Sequence, residues 1–261
     1  MAERIEAVTI DLWDTMIADQ TDEPKREARG LRGKTDEHRH LIHRALVRHG
    51  AIPPDVVAAA YDVTGAVFKK VWHDHHVTWT MAERLKVLLA GLGRELPGDE
   101  FDGLVMRLET MELDVPPDAV PGIADALAAL HESYKLCVVS DALVTPGRVL
   151  RELLGHYGLD RFFSAFVFSD EVGCSKPDPR MFHLAAERLG VDLGAMVHVG
   201  DREDTDIKGA HAVGMKAVLF TAVRRTDEST TGADAVCRRA ADLPEVVDRL
   251  AGAQAARARL C

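Results

Sequence analysis

Aromatic residues are scarce in this chain, with Phe, Trp and Tyr making up 5% of 261 residues. No uninterrupted apolar run approaches the ~20 residues that a membrane helix needs, so no span is expected and no membrane partner is inferred. The four cysteines, Cys137, Cys174, Cys237 and Cys261, are far apart and form no C-x-x-C pair. That excludes the dense pattern of a disulfide framework or a structural zinc site. Positive charge is also in deficit, with 32 Lys and Arg against 42 Asp and Glu and a formal net charge of -10. A chain of that sign has no overall attraction for nucleic acid or anionic lipid, so nucleic acid is not expected as a partner. Internal repeats are absent, and only residues 226–232 form a short polar stretch resembling a loop.

The composition that remains, 47% hydrophobic and 28% charged, is that of a folded globular protein. Its length admits one large domain or two modest ones. Met1 to Asp14 lacks the charged-then-apolar layout of a signal peptide, which leads to the expectation of a soluble, cytoplasmic protein.

Ala7-Val8-Thr9-Ile10 reads as a short buried strand ending at Asp11. Residues 35–112 then read as helices alone, over 35–49, 55–71, 81–92 and 100–113. Thr80-Met81-Ala82-Glu83 has the spacing of a capping box. After Val115-Pro116-Pro117, helices alternate with short Val, Ile, Leu and Phe runs. The expected strands are 135–140, 165–169, 196–200 and 216–220, and the expected helices are 123–131, 147–156, 180–189 and 206–212. Such alternation predicts an α/β fold, a doubly wound parallel sheet with an inserted all-helical cap. The expected division is a core of 1–18 and 115–261 and a cap of 19–114, joined by hinges near 18–24 and 114–121.

In an open parallel sheet, ligands bind at the carboxyl ends of the strands. There the sequence places Asp11, Ser140 with Asp141, and Gly200-Asp201 running to Asp206, while Lys176 follows the third strand. Asp11, Asp201 and Asp206 in one crevice would repel unless a hard cation bridged them, and an oxygen ligand set suits Mg²⁺. With Lys176 and the Ser140 hydroxyl, such a cation would make a donor-rich cradle for a phosphoryl group, and Asp11 could attack it as a nucleophile.

Asp11-x-x-x-Thr15, Ser140, Lys176 before Pro177, and Gly200-Asp201-x-x-x-x-Asp206, in that order, resemble the haloacid dehalogenase superfamily, in particular members with a helical cap inserted after the first strand. The resemblance covers nearly the whole chain. It implies Asp11 as nucleophile and metal ligand, with the Trp13 carbonyl as a second ligand. Thr15 and Ser140 would orient Asp11 and the substrate oxygens, and Lys176 would balance charge. Asp201 would hold Mg²⁺ directly, and Asp206 would support it. The substrate would be a small molecule, anionic in character. Oligomeric state cannot be read.

One position departs from the family. Its phosphatases usually carry a second Asp two residues after the nucleophile, as general acid and base; here that residue is Trp13. Asp14, one residue on, is expected to serve the loop. Three readings stay open: a Mg²⁺-dependent phosphatase that is slow or uses another acid–base group, a metal-free dehalogenase with Trp13 against the substrate, or a catalytically impaired binding protein. The Gly200-Asp201 pair counts against the second.

Seven of twelve histidines fall in the helical insertion, including the run His73-Asp74-His75-His76. Its spacing is not that of a zinc helix pair. The bland reading is a polar helix end, and the sharper one gives His73 and His76, with Asp141 and Trp13, contact with substrate. Phe68, Trp72 and Trp79 are expected to pack inside the cap. From Pro24 to Arg48 eight Lys and Arg face three acids, a local +5, read as a solvated arm or as a lure for an anionic substrate.

Overall fold

The computed structural model describes residues 4–260, with side chains described to residue 252, so Cys261 lies outside the described residues. Six parallel strands form one sheet: β1 (Ala7–Ile10), β2 (Lys135–Ser140), β3 (Ala165–Phe168), β4 (Met196–Gly200), β5 (Lys216–Phe220) and β6 (Ala235–Cys237), in the order β3-β2-β1-β4-β5-β6. β1, which carries Asp11 at its end, therefore lies between β2 and β4.

Between β1 and β2 come α1 (Asp22–Ala28), α2 (Lys34–Val47), α3 (Pro54–His75), α4 (Met81–Gly91), α5 (Gly98–Glu109), the single turn α6 (Met111–Asp114) and then α7 (Ile123–His131). The remaining helices are α8 (Gly147–His156), the short α9 (Ser169–Val172), α10 (Pro179–Leu189), α11 (Lys208–Ala212) and α12 (Leu243–Leu260).

The period of two along each strand decides which face a residue serves. Val8, Ile10, Val138 and Val199 pack with α7, α8 and the start of α12 in one cluster. Ala7, Cys137, Val139 and Met196 pack with α10 and α11 in the other. Both faces are covered, which is why the central strands read as unbroken apolar runs. Thr9 and His198 interrupt those runs, and they are register partners on adjacent strands.

A third apolar cluster draws only on residues 41–111, including Leu41, Leu46, Leu85, Leu88 and Leu108. The helical insertion thus has its own core. The expected capping box opens α4, with Thr80 Oγ1 accepting from Glu83 N at 3.2 Å and Thr80 N donating to Glu83 Oε2 at 2.7 Å.

The two chain segments that join insertion to sheet run side by side. Ala18 N donates to the Asp118 carbonyl at 2.8 Å, Val120 N to the Met16 carbonyl at 2.8 Å, and Lys25 Nζ reaches Asp118 Oδ1 at 2.6 Å. α1 begins at Asp22, inside the stretch expected to be a plain linker. α3 continues past the expected end at Val71 to His75, and the expected 100–113 helix divides at Thr110. β6 and α12 were not expected. β6 is a three-residue, half-buried edge strand, too short to show a period.

Candidate active site

Asp11 follows β1, with its N–H donating to the Val199 carbonyl of β4 at 2.9 Å. Its neighbour across the strand ends is set by Gly200, where a Cβ would stand 2.3 Å from Asp206 Cγ. Only glycine lets the wide turn over Glu203–Ile207 fold back and bring Asp206 against the strand end. Ligand oxygens of Asp11, Asp201 and Asp206 lie within 4.8 Å of one another, and all three residues are buried.

Lys176 holds two of them together. Its Nζ donates to Asp11 Oδ1 at 2.7 Å and to Asp206 Oδ1 at 2.6 Å, and all three side chains are at most 8% exposed. Burial opposes the ammonium, yet Asp11 and Asp206 hold its pKa above the usual lysine range. Burial likewise works against the Asp206 carboxylate, but Lys176 and His198 keep it ionised well below the ordinary carboxylate range. For Asp11 burial outweighs Lys176 and the pKa rises.

Both oxygens of Asp206 already accept hydrogen bonds. Oδ1 also accepts from His198 Nε2 at 3.0 Å, and Oδ2 accepts from Arg202 N at 3.0 Å. With Nε2–H given to Asp206, neutral His198 presents Nδ1 to the Thr9 hydroxyl at 2.8 Å. A buried chain thus runs from Thr9 through His198, Asp206 and Lys176 to Asp11.

Asp201 is the contrast. Its Oδ2 is buried without a hydrogen-bond partner, and the cations nearest to it, Arg224 Nη1 at 3.6 Å and Arg202 Nε at 3.8 Å, stand beyond hydrogen-bond reach. Burial, with Asp206 and Asp11 nearby, pushes its carboxyl up to about 8. A buried acid with an unsatisfied oxygen, facing a second carboxylate, has the chemistry of a hard-cation ligand, so the donor set fits Mg²⁺.

These groups open on a cavity of ≈ 1040 Å³ between sheet and helices. Asp11, Trp13, Ser140, Asp141, Lys176, Asp201 and Asp206 line it, as does His73, whose side chain is 81% exposed. Asp141 Oδ1 accepts from Lys176 N at 2.9 Å, and burial pushes its carboxyl up to about 7. The Ser140 and Thr15 hydroxyls are buried without partners, but Thr15 does not line the cavity. Nor does His76, which has a left-handed backbone (φ 54°) and a carbonyl that accepts from Ser175 N at 2.9 Å. Asp14 serves its loop, with Oδ1 accepting from Asp19 N at 3.0 Å.

Of the basic stretch from 24 to 48, only Lys34 lines the cavity. It reaches Asp22 Oδ2 at 3.0 Å and Glu112 Oε1 at 3.1 Å, while Arg32, Arg39 and Arg48 pair with acids of the helical block. Sequence reading missed His198 and Arg84. The signal for His198 was present, as a lone polar residue inside an apolar strand. For Arg84, on α4 and lining the cavity, no sequence signal distinguishes it from a solvated helix residue.

A stretch of 103 residues is 41% identical to the glyceraldehyde 3-phosphate phosphatase of Methanopyrus kandleri, covering 39% of this chain and 41% of that one. The chain thus spans about two fifths of that relative's length. Over nearly their whole lengths, two solved structures share the fold with a TM-score of 0.64 each. One is a HAD phosphatase from Thermococcus onnurineus, at 23% identity over 93% of this chain and 98% of that one. The other is a 2-haloacid dehalogenase from Pseudomonas syringae, at 22% identity over 94% and 99%. The model of the haloacid dehalogenase-like hydrolase family matches residues 5–214, and to that family this chain belongs.

Proposed function

We propose that this hydrolase cleaves a small phosphate monoester, with Asp11 as nucleophile and Mg²⁺ as cofactor. The observation that carries this reading is the buried trio Asp11, Asp201 and Asp206 within 4.8 Å, with one Asp201 oxygen unsatisfied. A dehalogenase needs no such acidic set.

No described residue hydrogen-bonds Asp11 Oδ2, and Asp11 lines the cavity, so this oxygen is the one available to attack phosphorus. Attack forms the Asp11–phosphorus bond and breaks the bond to the leaving alkoxide. Water then attacks the aspartyl-phosphate, releasing phosphate and restoring Asp11. Lys176 neutralises charge at Asp11 and keeps the carboxylate oriented. The Ser140 hydroxyl, without a partner, is a donor for a phosphoryl oxygen. Mg²⁺, held by Asp201 and Asp11 with Asp206 and the Trp13 carbonyl in support, would neutralise the phosphoryl charge. The helical block 19–114 would act as a cap that excludes water, with the core in 1–18 and 115–261.

A second reading, 2-haloacid dehalogenation, is favoured by Trp13, an aromatic where phosphatases of the family keep an acid, lining the cavity with Asp11. Two assays separate them. Phosphate release from a panel of monoesters that requires Mg²⁺ and disappears in Asp11→Asn supports the first. Halide release from 2-haloacids in the presence of a chelator overturns it.

A further inference from the structure

Arg84 stands out among the cations of the described residues. Its Nη2 donates to the Leu143 carbonyl, which ties α4 to the segment following β2. The guanidinium carbon lies 4.5 Å from the centroid of the Phe68 ring, and Nε is buried with no partner. No described carboxylate pairs with it: Glu109 is taken by Arg148, and Asp62 by Arg39. Burial accordingly drives its pKa below the usual arginine range. Arg84 is half-buried, and an unpaired guanidinium with its Nε out of water carries a cost that a carbonyl and an aromatic face offset only in part.

Arg84 shares the cavity lining with apolar side chains and with the polar His38, Tyr61 and Thr64. Ile42, Phe68, Leu85, Leu88 and Val144 line the same cavity as Asp11 and Lys176. Trp72, also in this lining, has a buried Nε1 with no acceptor. Arg84 Nε and Trp72 Nε1 are thus two donor atoms without acceptors in the lining of one cavity, and with the unpaired Arg84 charge they call for an anion from outside the chain.

We infer that Arg84 is the specificity residue of this site, and that the substrate is a phosphate monoester bearing a carboxylate, with the carboxylate paired to the Arg84 guanidinium. The inference rests on the phosphatase reading and extends it to a substrate class. A carboxylate matches because it carries one negative charge, as Arg84 carries one positive, and its two coplanar oxygens match a planar guanidinium on which only Nη2 has an acceptor. The Phe68 ring and the Leu143 carbonyl already hold Arg84 in place, so little rotamer freedom is lost on binding.

The test compares 3-phosphoglycerate with glycerol 3-phosphate, which differ only in a carboxylate replacing a primary alcohol. The chain with Mg²⁺ is expected to favour the carboxylated ester by about tenfold or more in kcat/KM, chiefly through KM. In Arg84→Gln that ratio falls to near one, and Arg84→Lys recovers part of it. Equal use of both esters, or a ratio that survives Arg84→Gln, overturns the assignment. A binding arm separates this inference from the reading beneath it. Thermal unfolding is followed in D-glycerate and, as control, in glycerol. If neither ester is hydrolysed, the phosphatase reading is judged by the monoester panel, and the subsite by this arm alone. Stabilisation by glycerate that is absent with glycerol and lost in Arg84→Gln supports the subsite, and no stabilisation of the wild-type chain overturns it.

Discussion

The Lys176 ammonium stands 2.7 Å from the Asp11 carboxylate, both side chains buried at the carboxyl end of the sheet. The same nitrogen holds Asp206 at 2.6 Å, so one cation keeps two acids in place. Lys176→Met removes it and leaves Asp11, Asp201 and Asp206 to repel. Unfolding in urea should show a loss of about 3–5 kcal/mol, the usual cost of breaking a buried pair. Hydrolysis should fall by at least about 10²-fold. Added Mg²⁺ should raise the melting temperature of the variant more than that of the wild-type chain, because a divalent cation can take over the neutralisation. A variant as stable as wild type would show that the carboxylates do not depend on Lys176.

His198 acts on Asp11 at a distance, through Asp206 and Lys176. Replacing it with Leu leaves the Thr9 hydroxyl only the long contact to the Val197 carbonyl at 3.5 Å and removes one donor from Asp206, with an expected stability loss of about 1–3 kcal/mol. The kinetic signature should lie in kcat, with KM little changed, because His198 does not line the cavity. His198→Gln, which keeps a donor, should recover part of kcat. Unchanged kcat in the Leu variant would reduce His198 to a packing residue.

Trp13→Asp restores the acid that phosphatases of the family use. General acid–base catalysis contributes about 10²–10⁴-fold, and steady-state phosphate release should rise within that range. Trp13 also packs against the core cluster around β1, so the melting temperature should drop at the same time. A folded variant with no faster release would mean that proton transfer does not limit this enzyme.

His38 predicts a pH-dependent stability. It is 3% exposed, with Nε2–H donating to the Leu108 carbonyl at 3.0 Å and Nδ1 accepting from the Tyr61 hydroxyl at 2.8 Å. Burial lowers its pKa from 6.5 to about 4. Below pH 6.5 the unfolded chain takes up a proton that the folded chain refuses, so stability falls as pH drops from 6.5 towards 4. At pH 5 the loss from this one group is about 2 kcal/mol. Urea midpoints at pH 7 and pH 5 should therefore differ less in His38→Gln than in the wild-type chain. Equal differences would show that His38 titrates alike in both states.

The sequence alone determined the parallel core, since four apolar runs alternating with helices leave few other folds. It also marked Asp11 and Asp201, because polar residues that end buried strands have one place to go in such a sheet, and it marked Lys176 and Asp206 by the order of the motifs around them. The reading of Asp14 as a loop residue follows from the same local logic. What only the tertiary structure decided depends on contacts between distant segments. Asp206, expected from sequence to support a metal, is also tied to Lys176, His198 and Arg202. Of eight basic residues between 24 and 48, folding brings only Lys34 to the cavity, and His76 is turned away while His73 is not. Arg84 carries no mark in the sequence, because an arginine on an amphipathic helix looks solvated until the opposite wall is known. Periodicity reports which face of an element is buried, whereas the charges that meet across a cleft are set by how elements far apart in the chain are packed together.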